Sequence, residues 1–168
     1  DELGERARVG TPREAAVFGE VIMLAVPYGA TPQVGRDYAT ELAGKVVLDA
    51  GNPRPGRDGP MAEEAVEMGA GLASQQFLPG VRLVRAFNAI SAHNLRSQAH
   101  RSGEKLAIPL AADDEAALQV AARLVTDAGF DPVIVGPLAS AKSFDFNSGV
   151  SARMPTAREL RELLGLQP

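Results

Sequence analysis

The sequence has 168 residues, of which 45% are hydrophobic and 23% charged, a size and composition typical of one globular domain. Its net charge of −4 gives no reason to expect a nucleic-acid partner, and no run of about 18 apolar residues predicts a membrane span. Cysteine is absent and only two histidines occur, which excludes disulfides and a cysteine nucleophile and disfavours a metal site. No signal-peptide pattern opens the sequence, so a cytoplasmic location is expected.

Short apolar runs alternate with helical patterns, which predicts an α/β fold with a parallel sheet. The run at 20–26 is typical of a strand buried on both faces, and Pro109 predicts an edge or irregular position in its strand. A weak point is expected where Gly-Ala-Gly interrupts the second helix at 69–71, and Thr156 with Glu159 predicts a capping box. The predicted elements are strand 20–26, helix 32–43, strand 45–50, helix 61–77, strand 81–87, strand 105–112, a helix from 113 to Gly129, strand 131–136 and helix 156–165.

Three of the predicted strands end in similar residues. The first ends in Val26-Pro27-Tyr28-Gly29, the second in Gly51-Asn52-Pro53 and the third in Ala86-Phe87-Asn88. In open α/β sheets ligands bind outside the carboxyl ends of the strands, and uncharged asparagine amides both donate and accept hydrogen bonds there. The same residues are also ordinary turn formers, and spacing alone favours neither interpretation.

Four segments occur in an order that resembles one known family: "EVIMLAVPYGATPQV", "LAGKVVLDAGNP", "VRLVRAFNAISAHNL" and "AADDEAALQVAARLVTDAGFDPVIVGPLASAK". Together they are similar to the NADPH-dependent F-420 reductases, also called F-420-dependent NADP oxidoreductases, and their bacterial relatives. The resemblance implies a single Rossmann-like domain over residues 1–168 that binds NADP, with 137–168 as a small C-terminal extension. It also implies hydride transfer between NADP and the deazaflavin coenzyme F-420, and a homodimer.

Site residues follow from the same resemblance, position by position. Val26, Pro27, Asn52, Asn88 and Ala92 are expected to line the nicotinamide side of the cofactor. Contacts with the small-molecule redox acceptor are expected from Asn88, Ile90 and Pro137, and no residue is assigned a catalytic role.

Two departures from the family bear on the acceptor. Asn88 stands where the archaeal reductases carry a histidine near the deazaflavin, and the segment after Lys142 does not match their ending. The acceptor could therefore be a flavin, a quinone or a metal chelate instead, which would make the protein a flavin or ferric reductase.

The family's phosphate-binding unit is missing from this sequence. No Gly-x-Gly-x-x-Gly follows a strand, and no Ser-Arg or Asn-Arg pair is placed to read a 2′-phosphate. Residues 1–10 resemble the end of the family's second helix and its short third strand, so we expect an N-terminally truncated Rossmann-like sheet. Without the missing unit, the strand at 20–26 becomes an apolar sheet edge. The alternative function is a non-catalytic α/β module that uses this edge to pair with a second copy or a partner.

Overall fold

The computed structural model describes residues 3–167 and contains a mixed five-stranded sheet flanked by helices. The strands are β1 (Val21–Leu24), β2 (Val46–Asp49), β3 (Arg82–Arg85), β4 (Ala107–Ala111) and β5 (Asp131–Gly136). The α-helices are α1 (Pro12–Phe18), α2 (Thr31–Asp37), α3 (Ala39–Leu42), α4 (Met61–Met68), α5 (Ala70–Phe77), α6 (Ala92–Gln98), α7 (Glu115–Asp127), α8 (Val150–Arg153) and α9 (Ala157–Leu164). Short 3₁₀ helices cover Gly4–Arg6, Tyr28–Ala30, Leu138–Phe144 and Phe146–Ser148.

The strands lie side by side in chain order, β1-β2-β3-β4-β5. The first three are parallel, as in one half of a doubly wound sheet. The predicted parallel arrangement holds for three of the four strand pairs. The exception is β4, which meets β3 antiparallel at the single pair Arg85 and Ala111, whereas β5 runs parallel to β4. Pro109 is therefore not on the sheet edge, although the sparse pairing between β3 and β4 is irregular at that strand.

The core lies on both faces of the sheet because side chains alternate along each strand. Val46 and Val84 face a cluster that includes Leu118 and Val125 of α7. Val47 and Leu83 face the opposite cluster with α3 and the end of α5. A third cluster joins the C-terminal extension to β4 and β5 through buried side chains: Phe144, Val150 and Leu160.

Local signals predicted several boundaries correctly. The predicted helix at 61–77 is two helices that meet at Gly69, whose φ of 102° favours glycine. Thr156 and Glu159 form the expected capping box at the start of α9. The predicted helix at 32–43 is likewise two helices, which meet at Tyr38, and this division was not predicted.

The N-terminal residues differ from their predicted form. Within residues 3–10 the structure contains a 3₁₀ turn and no strand, so the short strand expected there was wrong. Helix α1 follows, with Pro12 in its first turn and Thr11 and Glu14 in a capping box that the sequence analysis overlooked. None of the helices within residues 3–167 has the length and apolar character that crossing a bilayer requires.

The expected apolar edge is present in the described residues. β1 pairs only with β2, and Met23 at its middle is 48% exposed, so this strand is not buried on both faces. Phe18 and Val17 of the neighbouring helix are also exposed. A groove of about 560 Å³ runs along this edge between β1 and the segment from Glu5 to Gly19.

Candidate functional site

The carboxyl ends of the five described strands meet at one level of the sheet, with β1 joined through the pair of Leu24 and Asp49. The ends of β2 and β3 lie side by side because Asp49 pairs with Arg85. β4 approaches from the opposite direction and ends at Ala111, which pairs with Arg85 on one side and Gly136 of β5 on the other. The loops that follow these strands therefore surround one region, which is the candidate site.

Two asparagine amides occupy the centre of this region. The Nδ2 of Asn52 donates a 2.8 Å hydrogen bond to the main-chain carbonyl of Asn88, and the Nδ2 of Asn88 donates a 3.2 Å bond to the carbonyl of Phe144. The Oδ1 atoms of both asparagines are buried without a partner. Buried acceptors are normally paired, so two unpaired ones in adjacent side chains indicate a place for hydrogen-bond donors from outside the chain.

The backbone next to Asn88 has an unusual conformation. Phe87 has a φ of 61°, in the left-handed region that residues other than glycine rarely adopt, and its side chain is buried. Such strain costs of order 1–3 kcal/mol and is concentrated at functional sites. It turns the chain at the end of β3 and is a second feature typical of a binding site at Asn88.

A buried arginine lies beneath the amide pair. Arg85 is fully buried, and its guanidinium donates to the carboxylates of Asp49 (2.9 Å) and Asp145 (3.0 Å). Burial by itself lowers the pKa of Arg85, but the two facing carboxylates outweigh that effect and raise it above the ordinary value. Arg85 is therefore a permanent cation that links β2, β3 and the C-terminal extension.

The loop after β2 is ordered by Asp58. Its carboxylate accepts hydrogen bonds from the Arg57 side chain and from the backbone N–H of Arg54, and Asp58 packs against the backbone of Gly29, which joins this loop to the turn after β1. Arg57 and the N–H of Arg54 lower the pKa of Asp58 from 3.8 to about 2.

We expect the order of this loop to depend on pH in a defined window. Because the folded-state pKa of Asp58 is depressed, its contribution to stability is complete above pH 3.8 and is lost as the pH falls through about 2. An NMR titration of the Arg54 amide, which donates to Asp58, should show a transition near pH 2. The Asp58→Asn variant should lack this transition, and a transition that persists in the variant would assign it to another group.

A cavity of about 240 Å³ lies between the loop after β2, α4 and the extension. Its walls are apolar at Pro53, Val66 and Phe146 and polar at Lys142, Asp145 and Ser148. The guanidinium carbon of Arg54 lies 4.6 Å from the centre of the Phe146 ring, so a cation–π contact joins the loop after β2 to the extension.

The other residues expected at the site lie around this centre. Val26 is 38% exposed and Pro27 is exposed just beyond β1. Ile90 is partly buried against the sheet, and Ala92 is exposed at the start of α6. Pro137 directly follows Gly136, two strands from Arg85. The structure joins Asn52 to Asn88 directly and shows no direct bond from these other positions to the pair.

Sequence reasoning missed Arg85 and Asp145, and it missed the pairing of Asp49 with Arg85. Asp49 does accept a hydrogen bond from Gly51 N–H, but it also pairs with Arg85. The signal that could have revealed Arg85 is an arginine at the end of an apolar strand, because a buried arginine requires carboxylate partners. Within residues 3–167, His, Asp and Glu side chains form no group of three that could hold a metal ion.

Comparisons with known proteins establish the fold. No family model and no curated protein matches the sequence. Hypothetical protein SMa0349 from Sinorhizobium meliloti is similar in structure, with a TM-score of 0.64 and 25% identity over 80% of this chain and 65% of its own. A protein from Arthrobacter sp. FB24, named as a candidate F420-dependent NADP-reductase, has a TM-score of 0.66 and 21% identity over 92% of this chain and 69% of its own. The chain thus has a Rossmann-like fold and spans about two thirds of the length of either structure.

Proposed function

We propose that this chain is part of an NADP-dependent oxidoreductase that transfers hydride between NADP(H) and a deazaflavin such as coenzyme F-420. The observation that carries the proposal is the pair of unpaired acceptor atoms, Asn52 Oδ1 and Asn88 Oδ1, at the carboxyl ends of adjacent strands. The name given to the Arthrobacter structure supports the same chemistry.

The residues present fit the nicotinamide end of such a cofactor. The two Oδ1 atoms have no hydrogen-bond donor within the chain. A nicotinamide carboxamide carries N–H donors and a ribose carries O–H donors, and either could bond to them. The carboxylates of Asp49 and Asp145 are bonded to Arg85 and so hold the site together. A site of this kind suits hydride transfer, in which the protein supplies orientation and exclusion of water.

The opposite end of the cofactor requires residues that this sequence does not contain. No Gly-x-Gly-x-x-Gly turn occurs in the sequence, so we propose that an upstream strand–turn–helix unit binds the diphosphate and pairs with β1. The apolar, exposed edge of β1 supports this arrangement because such edges are normally covered.

Each group of residues then has a separate task. NADPH supplies the hydride when bound, and the amide pair orients the nicotinamide through hydrogen bonds. Ile90, Pro137 and the cavity beside Phe146 offer mainly apolar surface for a planar acceptor. Val26, Pro27 and Ala92, exposed around the centre, would exclude water from the reacting atoms.

The experiment that tests this function is a calorimetric titration of two chains with two ligands. Reduced nicotinamide mononucleotide lacks the adenylate half, so the 168-residue chain should bind it weakly through the amide pair. NADPH should bind tightly only to a chain extended by its natural upstream residues. Acceptor reduction by the extended chain, measured with F-420, a flavin and a ferric chelate in turn, then identifies the second substrate.

Two variants test whether the mononucleotide binds at the amide pair. Asn88→Leu removes the acceptor and should abolish binding of the mononucleotide, whereas Gln119→Ala, on the exposed face of α7, should leave it unchanged. Equal binding by both variants would place the ligand elsewhere. Failure of the extended chain to bind NADPH would refute the proposed function.

The exposed edge of β1 also supports a second candidate, the non-catalytic pairing module. In that case the extended chain binds neither ligand, and association through β1 persists when the upstream residues are restored. The same titrations, followed by sedimentation of both chains, separate the two functions.

A further inference from the structure

Asp145 connects the C-terminal extension to two separate parts of the fold. Its Oδ1 accepts a 3.0 Å hydrogen bond from Nη2 of Arg85, and its Oδ2 accepts a 3.0 Å bond from the backbone N–H of Ala70 at the start of α5. Arg85 is fully buried and the Asp145 side chain is 18% exposed, so water competes weakly for these bonds.

The peptide unit before Asp145 also holds the site. The carbonyl of Phe144 belongs to the planar peptide group that includes the nitrogen and Cα of Asp145, so fixing Asp145 limits the direction of this carbonyl. That carbonyl accepts the bond from Asn88 Nδ2. The main-chain carbonyl of Asn88 in turn accepts from Asn52 Nδ2.

We infer that Asp145 is a positioning residue, which fixes the Asn88 carboxamide through the carbonyl of Phe144 and so presents its unpaired Oδ1 to a ligand. Arg85 provides the fixed charge that holds Asp145. The consequence for ligand binding rests on the proposed function, whereas the effect on Asn88 does not.

The chain contains a matched control for this role. Asp49 resembles Asp145 chemically: it accepts one bond from the Arg85 guanidinium and one from a backbone N–H, that of Gly51. Asparagine at either position has one acceptor oxygen for two donors, so Asp145→Asn and Asp49→Asn each lose one charge and one hydrogen bond. Only Asp145 is adjacent to the carbonyl that receives Asn88.

The first measurement is hydrogen exchange and side-chain amide NMR on the 168-residue chain. In Asp145→Asn, exchange of residues 138–148 should rise about tenfold or more, the rate equivalent of one charge-assisted hydrogen bond, and the Asn88 Nδ2 resonances should shift. Asp49→Asn should lower the melting temperature about as much as Asp145→Asn does. It should leave hydrogen exchange at residues 138–148 and the Asn88 resonances unchanged. If Asp145→Asn does not fold, Asp145→Glu, which keeps the charge but displaces the carboxylate, should shift the same resonances.

The inference is overturned if Asn88 is unaffected by both changes at Asp145, or if Asp49→Asn affects it equally. A titration with reduced nicotinamide mononucleotide separates this result from the proposed function. Binding by the unmodified chain that weakens about tenfold in Asp145→Asn supports both conclusions. No binding by the unmodified chain counts against the proposed function alone, because the Asn88 resonances still decide the positioning role.

Discussion

Replacing Arg85 by methionine should lower the free energy of unfolding by about 3–5 kcal/mol, the usual effect of removing one partner from a buried ion pair. Methionine is similar in length and fills the space, so lost packing contributes little. The main cost is electrostatic, because Asp49 is fully buried and loses its cation while Asp145 loses the same partner. Urea denaturation of the variant and the unmodified chain measures the difference.

A neutral triple variant separates this effect from packing. Arg85→Met combined with Asp49→Asn and Asp145→Asn removes the cation and both carboxylates, so no uncompensated charge stays buried. We expect the triple variant to recover most of the stability lost by Arg85→Met, since neutral replacements of buried ion networks are often nearly harmless. If the triple variant is no more stable than Arg85→Met, the cost arises from packing or from the carbonyls of Asp49 and Gly51, which also lose Arg85 as a donor, and the electrostatic account is wrong.

The pairs around Arg85 also show what a sequence can and cannot predict. Boundaries set by neighbouring residues were predicted: Gly69 divides a helix, and Thr156 with Glu159 caps another. Arg85 and Asp145 are 60 residues apart, and no periodic pattern connects them. Such a partnership depends on how the extension packs, which only the folded chain determines.

The direction of the strands was a second feature that the sequence did not predict. The sequence predicted that β4 and β5 are strands, but it did not predict that they are antiparallel to β1–β3. The connection from Arg85 to Ala107 contains α6 and further loop residues, which is long enough for either direction. Residue type and position drew attention to the asparagines at the strand ends, but only the family resemblance assigned them to the cofactor site. Their unpaired Oδ1 atoms became visible only in the structure.

Replacing Met23 by lysine should abolish concentration-dependent association of the 168-residue chain. The carbonyl of Leu24 accepts from Ala50 N–H, so the backbone groups of Val21 and Met23, one residue out of phase, face away from β2. With exposed apolar side chains beside them, they can pair with the same strand of another molecule. A charged side chain in the middle of the edge opposes this pairing because association would bury it.

Leu163→Lys is the matched control for this prediction, because Leu163 is an exposed apolar residue of α9 away from the edge. Both variants change the formal net charge from −4 to −3, and a smaller net charge by itself favours association. Sedimentation velocity over a range of concentrations should therefore show monomers for Met23→Lys and continued association for Leu163→Lys. Loss of association in both variants, or its absence in the unmodified chain, would mean that β1 is not a pairing edge. The proposal of an upstream strand paired with β1 would then lose the observation that supports it. The proposal of a ligand site at Asn52 and Asn88 would be unaffected, because it rests on their unpaired Oδ1 atoms.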